Sequence, residues 1–420
     1  MRCGGCGAKV GRWSASPLCP ACHAIAGAPL PLPVQRHGGS ALWLWTSETA
    51  RAALASGDLA VIIRTYRAAT GLSQRRLAEL LGYDATYISM IETGRREISD
   101  VAARLRIARH LGLPAHALGV SDPDDADFTA MLQFGESTIR LAAIARQSGH
   151  GAEAVNELWP LVTRLESRVA DGHVERDVML LLARARAELG VSLGYVLPEE
   201  RLVSAARWTG RALWLAEHLN DQNLLAFSLR VHGNELRKVE RPKAAVARLR
   251  RSVDLAPESD RGAALVQLAR AAGELGDPAL FDRAITDAWR LVDAKPGTGL
   301  TSLHALHEVH LRGLVHTRRA DVATDLLDRH RMFTTAIPPQ WQAILHVTTG
   351  EVLLARADTS QAETAFQAAI AIAEEHRLPH QIQRSLRACT SHLPAVGEVA
   401  RQALESLRIP EPKPPGTHAQ

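Results

Sequence analysis

Three glycines set the register of the longer part of this chain. Gly194 and Gly233 stand 39 residues apart, and Gly350 lies 117 residues, three times 39, beyond Gly233. Each is followed twelve residues later by an alanine: Ala206, Ala245 and Ala362. Leu249, Ser252 and Pro257 come next in the second case, Phe366 and Ala369 in the third. A small residue on one helix, facing a small and then a large one on the next, lets two antiparallel helices cross closely. Composition points the same way. Ala, Leu and Arg dominate and aromatic residues are only 4%, which favours helices over sheets. The expected fold class is therefore all-α, with stacked helix pairs forming an α-solenoid over residues 127–408 of the 420. The middle pairs, Ala263–Asp293 and Leu303–Arg331, fit the register loosely.

Four of the five cysteines fall in the first 22 residues, as Cys3-Gly-Gly-Cys6 and Cys19-Pro-Ala-Cys22. Each CxxC lets two thiolates converge on one ion from a tight turn, and two such turns close a tetrahedral shell. The spacing points to structural Zn2+, against redox pairs or two disulfides; the βαβ context of a redox dithiol is absent. His23 is read as a bystander, because four thiolates already fill the shell. Residues 1–26 resemble a zinc ribbon or zinc knuckle, too small to bury much core, so the metal would supply its folding energy. A Pro/Gly-rich linker follows over 27–42, and a Pro-rich tail, expected to be disordered, ends the chain over 409–420.

Between linker and body, residues 43–120 read as a bundle of short helices. Helices are expected over Thr46–Ala55 and over Asp58–Ala69. Ser73 can cap a third, with Leu77, Ala78, Leu80 and Leu81 on its apolar face. Gly82 supplies a sharp turn, and Asp84 caps a fourth, Ala85–Glu92, that buries Ile88 and Ile91. A fifth, Asp100–Leu111, is expected to bury Val101, Leu105, Ile107 or Ala108, and Leu111. Two short helices joined by a glycine turn leave the second free to enter a major groove. Leu72-Ser73-Gln74, Leu77-Ala78, Gly82, Ile88-Ser89 and Ile91-Glu92-x-Gly94 together resemble the Xre/lambda-repressor-type helix-turn-helix family, from Asp58 to Gly119.

The resemblance implies that Gln74 contacts phosphate or a base. It implies that Ala85, Thr86 and Tyr87 face base edges, with Ser89 and Met90 one turn on. Ala85 and Thr86 are suited to thymine methyls, and Tyr87 to a base or a phosphate. Arg75, Arg76, Arg95 and Arg96 flank the two helices and are expected to neutralise phosphates. Glu92 is read as an internal partner that pins the loop before Arg95. Tyr83 and Tyr87 also admit a pure packing role.

Residues 1–120 carry +7 and the remainder −3, which fits an anionic partner for the first part alone or a solvated surface, and charge by itself does not decide between them. The body resembles tetratricopeptide repeats, whose stacked pairs bind peptides, proteins or small ligands. His304, His307 and His310 lie near one helix face but lack HExxH spacing, so they are read as polar inner-face residues rather than metal ligands. Lys295–Thr301 lacks the GxxxxGK[ST] pattern and is read as a loop. Cys389 reads as a small buried apolar residue. No catalytic arrangement stands out, and no enzyme is expected. With no apolar run long enough to span a bilayer and no signal-peptide core, a cytoplasmic location is expected, without membrane contact. The expected function is that of a dimeric, sequence-specific transcription regulator on double-stranded DNA, whose body senses a peptide, protein or other ligand, or dimerises. The alternative is a protein-interaction adaptor whose helix-turn-helix does not read DNA.

Overall fold

Every regular element among the described residues of the computed structural model is a helix. The described residues are 48–113, 115–120, 125–170, 174–294, 297, 299–329 and 337–407. The four-cysteine module, the linker 27–42 and the tail 409–420 lie outside them. No helix among these residues is long and apolar enough to cross a membrane.

Two compact units partition the described chain. One takes the residues up to Ile144 with Glu153–Val191 and Ser204–His232; the other takes Ala145–Ala152, Ser192–Val203 and the residues from Gly233 onward. The first unit begins with five short helices: α1 (Glu48–Ala55), α2 (Leu59–Thr70), α3 (Gln74–Leu81), α4 (Ala85–Glu92) and α5 (Val101–Leu111). Longer helices follow: α6 (Asp125–Gln147), α7 (Gly151–Ala170), α8 (Arg176–Val196), α9 (Leu202–His218) and α10 (Gln222–Lys238). Within this unit Arg186 of α8 is 1% exposed and donates to the Glu166 carboxylate of α7 at 2.9 and 2.7 Å. That pairing lets a guanidinium sit among leucines and alanines without an uncompensated charge.

The second unit is built from helix pairs. After the end of α10 come α11 (Pro242–Leu255), α12 (Glu258–Leu275), α13 (Pro278–Ala294), α14 (Leu303–His316), α15 (Ala320–Arg329), α16 (Pro339–Ala355), α17 (Thr359–Glu375), α18 (Pro379–Cys389) and α19 (Pro394–Ser406). Short turns fold each pair back on itself, and in the first four pairs the turn passes through one left-handed residue: Glu240, Gly276, Arg318 or Ala357. The first helices of successive pairs, α12, α14, α16 and α18, also pack on one another. The result within this unit is a solenoid-like stack.

The glycine register explains the crossings, with one correction. A Cβ on Gly233 would lie 2.7 Å from Leu249 Cγ, and one on Gly350 would lie 2.7 Å from Phe366 Cζ, so only glycine admits these contacts. Gly194 instead faces Glu235 and Lys238, and it is Gly190 that meets Thr209 and Ala205. The middle pairs obey the same rule through Gly273 and Gly313, which approach each other and share the ring of Phe281.

His304 and His307 are buried, and His310 accepts a hydrogen bond from the Trp289 indole at 3.2 Å. Among the described residues no group of three His, Cys, Asp or Glu side chains could hold a metal ion. Cys389 is free and buried.

Candidate nucleic-acid interface

Four side chains start the helices of the interface. Asp58 accepts from the Ala60 N–H at 2.8 Å, Ser73 from Arg76 at 3.2 Å, Asp84 from Tyr87 at 2.7 Å and Asp100 from Ala103 at 2.7 Å. Each satisfies a backbone donor that a helix start would otherwise leave open. Gly82 ends α3 with φ 72° and ψ 35°, a left-handed conformation costly to any residue with a Cβ. Nothing lies within 4 Å of where that Cβ would be, so the turn needs glycine for its backbone angles and not for space.

This turn sets α4 across α3. Ile62, Ile63, Leu77, Leu81, Ile88 and Ile91 are almost fully buried between the helices. On α5 the buried stripe is Ala103, Ile107, Ala108 and Leu111; Val101, expected inside, is 54% exposed, and Leu105 is only half-buried. Val101 directly follows the Asp100 cap, where the helix begins outside the packed face. Arg104 secures the far side, donating to the carbonyls of Ile98 and Leu118.

Glu92, 5% exposed, ends α4 inside the domain. Arg67 of α2 donates to both of its oxygens, at 2.7 and 3.2 Å. The Gln74 side-chain amide of α3 donates at 2.6 Å, and Arg64 donates to the Glu92 carbonyl. Burial alone would raise the pKa of Glu92, but hydrogen bonds from Arg67 and Gln74 hold it below the ordinary value. One carboxylate thus ties three helices together and fixes the turn that carries Arg95.

The other predicted side chains fall on and around the exposed side of α4. Thr86 is exposed in its first turn, Ala85 and Ser89 are half-buried, and Met90 is 41% exposed. Tyr87 is half-buried and stacks on Tyr83, with ring centroids 4.8 Å apart. Arg106 donates to the Tyr83 hydroxyl at 2.9 Å, and the Arg96 guanidinium lies 5.8 Å from the Tyr87 ring centre. Arg95 and Arg96 are exposed, and their backbone N–H groups both donate to the Met90 carbonyl, at 2.9 and 3.2 Å. Arg75 and Arg76 are exposed on α3, sharing Glu79 at 3.5 and 2.7 Å. Gln74, expected at the nucleic acid, spends its amide N–H on Glu92.

Sequence reasoning did not find Arg67, Arg104 or Arg106, because each acts on a residue distant in the chain. Residues 58–119 hold nine arginines and six carboxylates. Glu92 is the buried carboxylate; the other five, with the helix caps Asp58, Asp84 and Asp100 among them, are exposed beside seven exposed arginines, so the exposed surface keeps a small excess of positive charge. Exposed arginines are the groups that can neutralise phosphates and release their counterions.

No curated protein matches the chain. A family model described as a helix-turn-helix domain matches residues 58–119. Residues 58–119 are a helix-turn-helix domain, an element whose second helix enters the DNA major groove.

Proposed function

We propose that this protein is a sequence-specific transcription regulator of the Xre/lambda-repressor type, cytoplasmic and without catalytic activity. Its helix-turn-helix binds double-stranded DNA as a homodimer. The observation that carries the reading is the exposed Thr86 in the first turn of α4, with Arg75, Arg76, Arg95 and Arg96 exposed on the flanking segments. The helix faces that a bundle would bury are already buried, which leaves this face available for a groove. In this reading Thr86 and Ala85 meet base edges, Ser89 and Met90 follow one turn on, and the arginines hold phosphates. Tyr87, stacked on Tyr83, supports the backbone approach more than free rotation toward a base. Gln74 serves the domain through Glu92.

The proposal extends to the rest of the chain. Cys3, Cys6, Cys19 and Cys22 hold one structural zinc, supported by their spacing. The body is a tetratricopeptide-like module that receives a ligand or peptide, supported by the stacked pairs of the second unit. Binding of purified protein to random duplex DNA over a range of salt concentrations tests the reading. A linear fall of log K with log salt supports it. No measurable duplex binding at low salt refutes it and favours an adaptor.

A further inference from the structure

Helix α6 buries one side and leaves the other apolar and open. Gly135 and Ala142 are buried on the packed side. A Cβ on Gly135 would lie 2.6 Å from Leu181 Cδ2, and the Glu136 carboxylate accepts from Arg184 at 2.7 Å, so α6 is seated on α8.

On the other side Phe134, Leu141 and Ile144 are 61%, 66% and 53% exposed, and Ala130 and Ser137 are exposed with them. At 3.6 residues per turn these side chains share an arc of about 80°. The charged residues of this stretch, Glu136 and Arg140, fall outside the arc. Scattered exposed apolar residues are ordinary, whereas an aligned stripe marks an interaction surface.

The order of residues along the stripe identifies its occupant. A two-fold contact requires that residue i meet j while j meets i. When α6 is laid antiparallel on a copy of itself with Ser137 and Thr138 at the centre, Phe134 of each copy meets Leu141 of the other, and Ile144 meets the small Ala130. Ser137 and Thr138 let the two backbones approach at the crossing. Arg140 then lies beside Gln133 of the second copy, so no like charges face each other. A stripe built for a different protein needs no such symmetry.

The same pairing spaces the DNA-binding domains. α6 begins at Asp125, close after the helix-turn-helix domain, which ends at residue 119. Antiparallel helices centred between Ser137 and Thr138 start about 37 Å apart at 1.5 Å per residue. Half-sites on successive turns of DNA are separated by about 34–36 Å. Parallel pairing would bring the two starts within about 10 Å, far short of that spacing.

We propose that α6 pairs with α6 of a second copy of this chain, antiparallel about Ser137 and Thr138. The proposal rests on the reading of the protein as a homodimer on DNA and names the surface that joins the copies. Few side chains of each copy take part, against about 20–30 residues a side in a standard interface. The free dimer is therefore weak, and the two half-sites of DNA complete it.

The test is sedimentation velocity of the full-length protein over a wide concentration range. The samples are the wild type, Phe134→Lys, Leu141→Glu, and an equimolar mixture of the two variants. The wild type should show a monomer–dimer equilibrium. Each variant alone sets a charge against an apolar side chain of the second copy and should raise the dissociation constant tenfold or more. The mixture should recover the dimer, because the introduced lysine then faces the introduced glutamate while Leu141 of one chain still meets Phe134 of the other. Recovery also shows that both variants are folded. A parallel pair sets each introduced charge against an apolar residue and does not recover. The proposal is overturned if the wild type stays monomeric at every concentration, if Leu141→Glu dimerises as the wild type does, or if mixing recovers nothing. Binding to a selected two-half-site duplex and to a single half-site is measured in parallel, and Leu141→Glu should lose tenfold or more on the first alone. A wild type that dimerises through α6 but binds no duplex upholds the surface and refutes the DNA reading. A dimer on DNA that is indifferent to Leu141→Glu refutes the surface and keeps the DNA reading.

Discussion

Replacing Glu92 by glutamine removes one charge from the interior of the helix-turn-helix and nearly nothing else. Glu92 is 5% exposed, while its partner Arg67 is 31% exposed. Breaking a wholly buried ion pair costs about 3–5 kcal/mol. Arg67 recovers part of its hydration, and glutamine still accepts one hydrogen bond, so the expected loss is about 2 kcal/mol. That corresponds to about a thirtyfold rise in the local opening equilibrium. Amide hydrogen exchange of the full-length protein, read by mass spectrometry on peptides from α3 and α4, measures it directly, with peptides from α17 as an internal control. The pH dependence has a defined sign. The folded pKa of Glu92 is depressed below 4.5, so its contribution is complete above that value and is lost as pH falls through the lower, folded value. The gap between wild type and Glu92→Gln should therefore narrow as pH drops below 4.5. Exchange in α3 and α4 that rises less than twofold, or a gap that ignores pH, would refute the role given to this carboxylate.

Other perturbations separate the remaining parts of the account. Gly82→Ala forces a Cβ into left-handed backbone and should cost about 1–2 kcal/mol, seen as a lower local unfolding temperature in α3 and α4 exchange; an unchanged value would contradict the turn. Gly350→Ala drives a methyl group against the buried Phe366 ring and should cost about 1–3 kcal/mol in thermal unfolding. An unaltered transition would mean that α16 and α17 do not cross there. Metal analysis of purified protein should find one zinc per chain, and Cys22→Ser should abolish it while duplex-DNA binding persists; metal-free wild-type protein would dismiss the zinc site. The bound DNA should carry two half-sites with centres about 34 Å apart, or a multiple of that spacing, in footprinting. A monomer protecting one isolated half-site would exclude the dimer.

The helix-turn-helix was legible because its determinants are local. Asp58, Ser73, Asp84 and Asp100 lie immediately before the helices they cap, and Gly71, Gly82 and Gly112 immediately after the helices they end. Val101 misled because a large apolar residue outweighs alanine in any periodicity, whereas Ala103 and Ala108 carry half of the buried stripe of α5. In the body, Gly273 and Gly313 continue the series from Gly233 at intervals of 40 residues, yet they escaped notice. Their large partner, Phe281, lies between them and serves both, so no alanine follows at twelve residues. The buried polar pairing of the second unit was hidden for a related reason. Arg237 and Glu274, or Glu308 and Thr348, are separated by 37 and 40 residues, about one helix pair. On a single helix such groups read as a solvated face, and only stacking turns that face inward.

The central claim, that α4 reads DNA, is tested most directly by comparing Thr86→Ala with Arg95→Ala. Competition binding at several salt concentrations is measured on a selected specific site and on random duplex. Thr86 is exposed in the first turn of α4, and its loss should cost about 1 kcal/mol or more on the specific site and little on random DNA. Arg95 is exposed beyond the end of α4, and its loss should weaken both kinds of binding together and reduce the salt slope by about one unit. Equal losses on specific and random DNA for Thr86→Ala would show that this face of α4 does not meet base edges. No effect of either substitution on any DNA would contradict the claim outright.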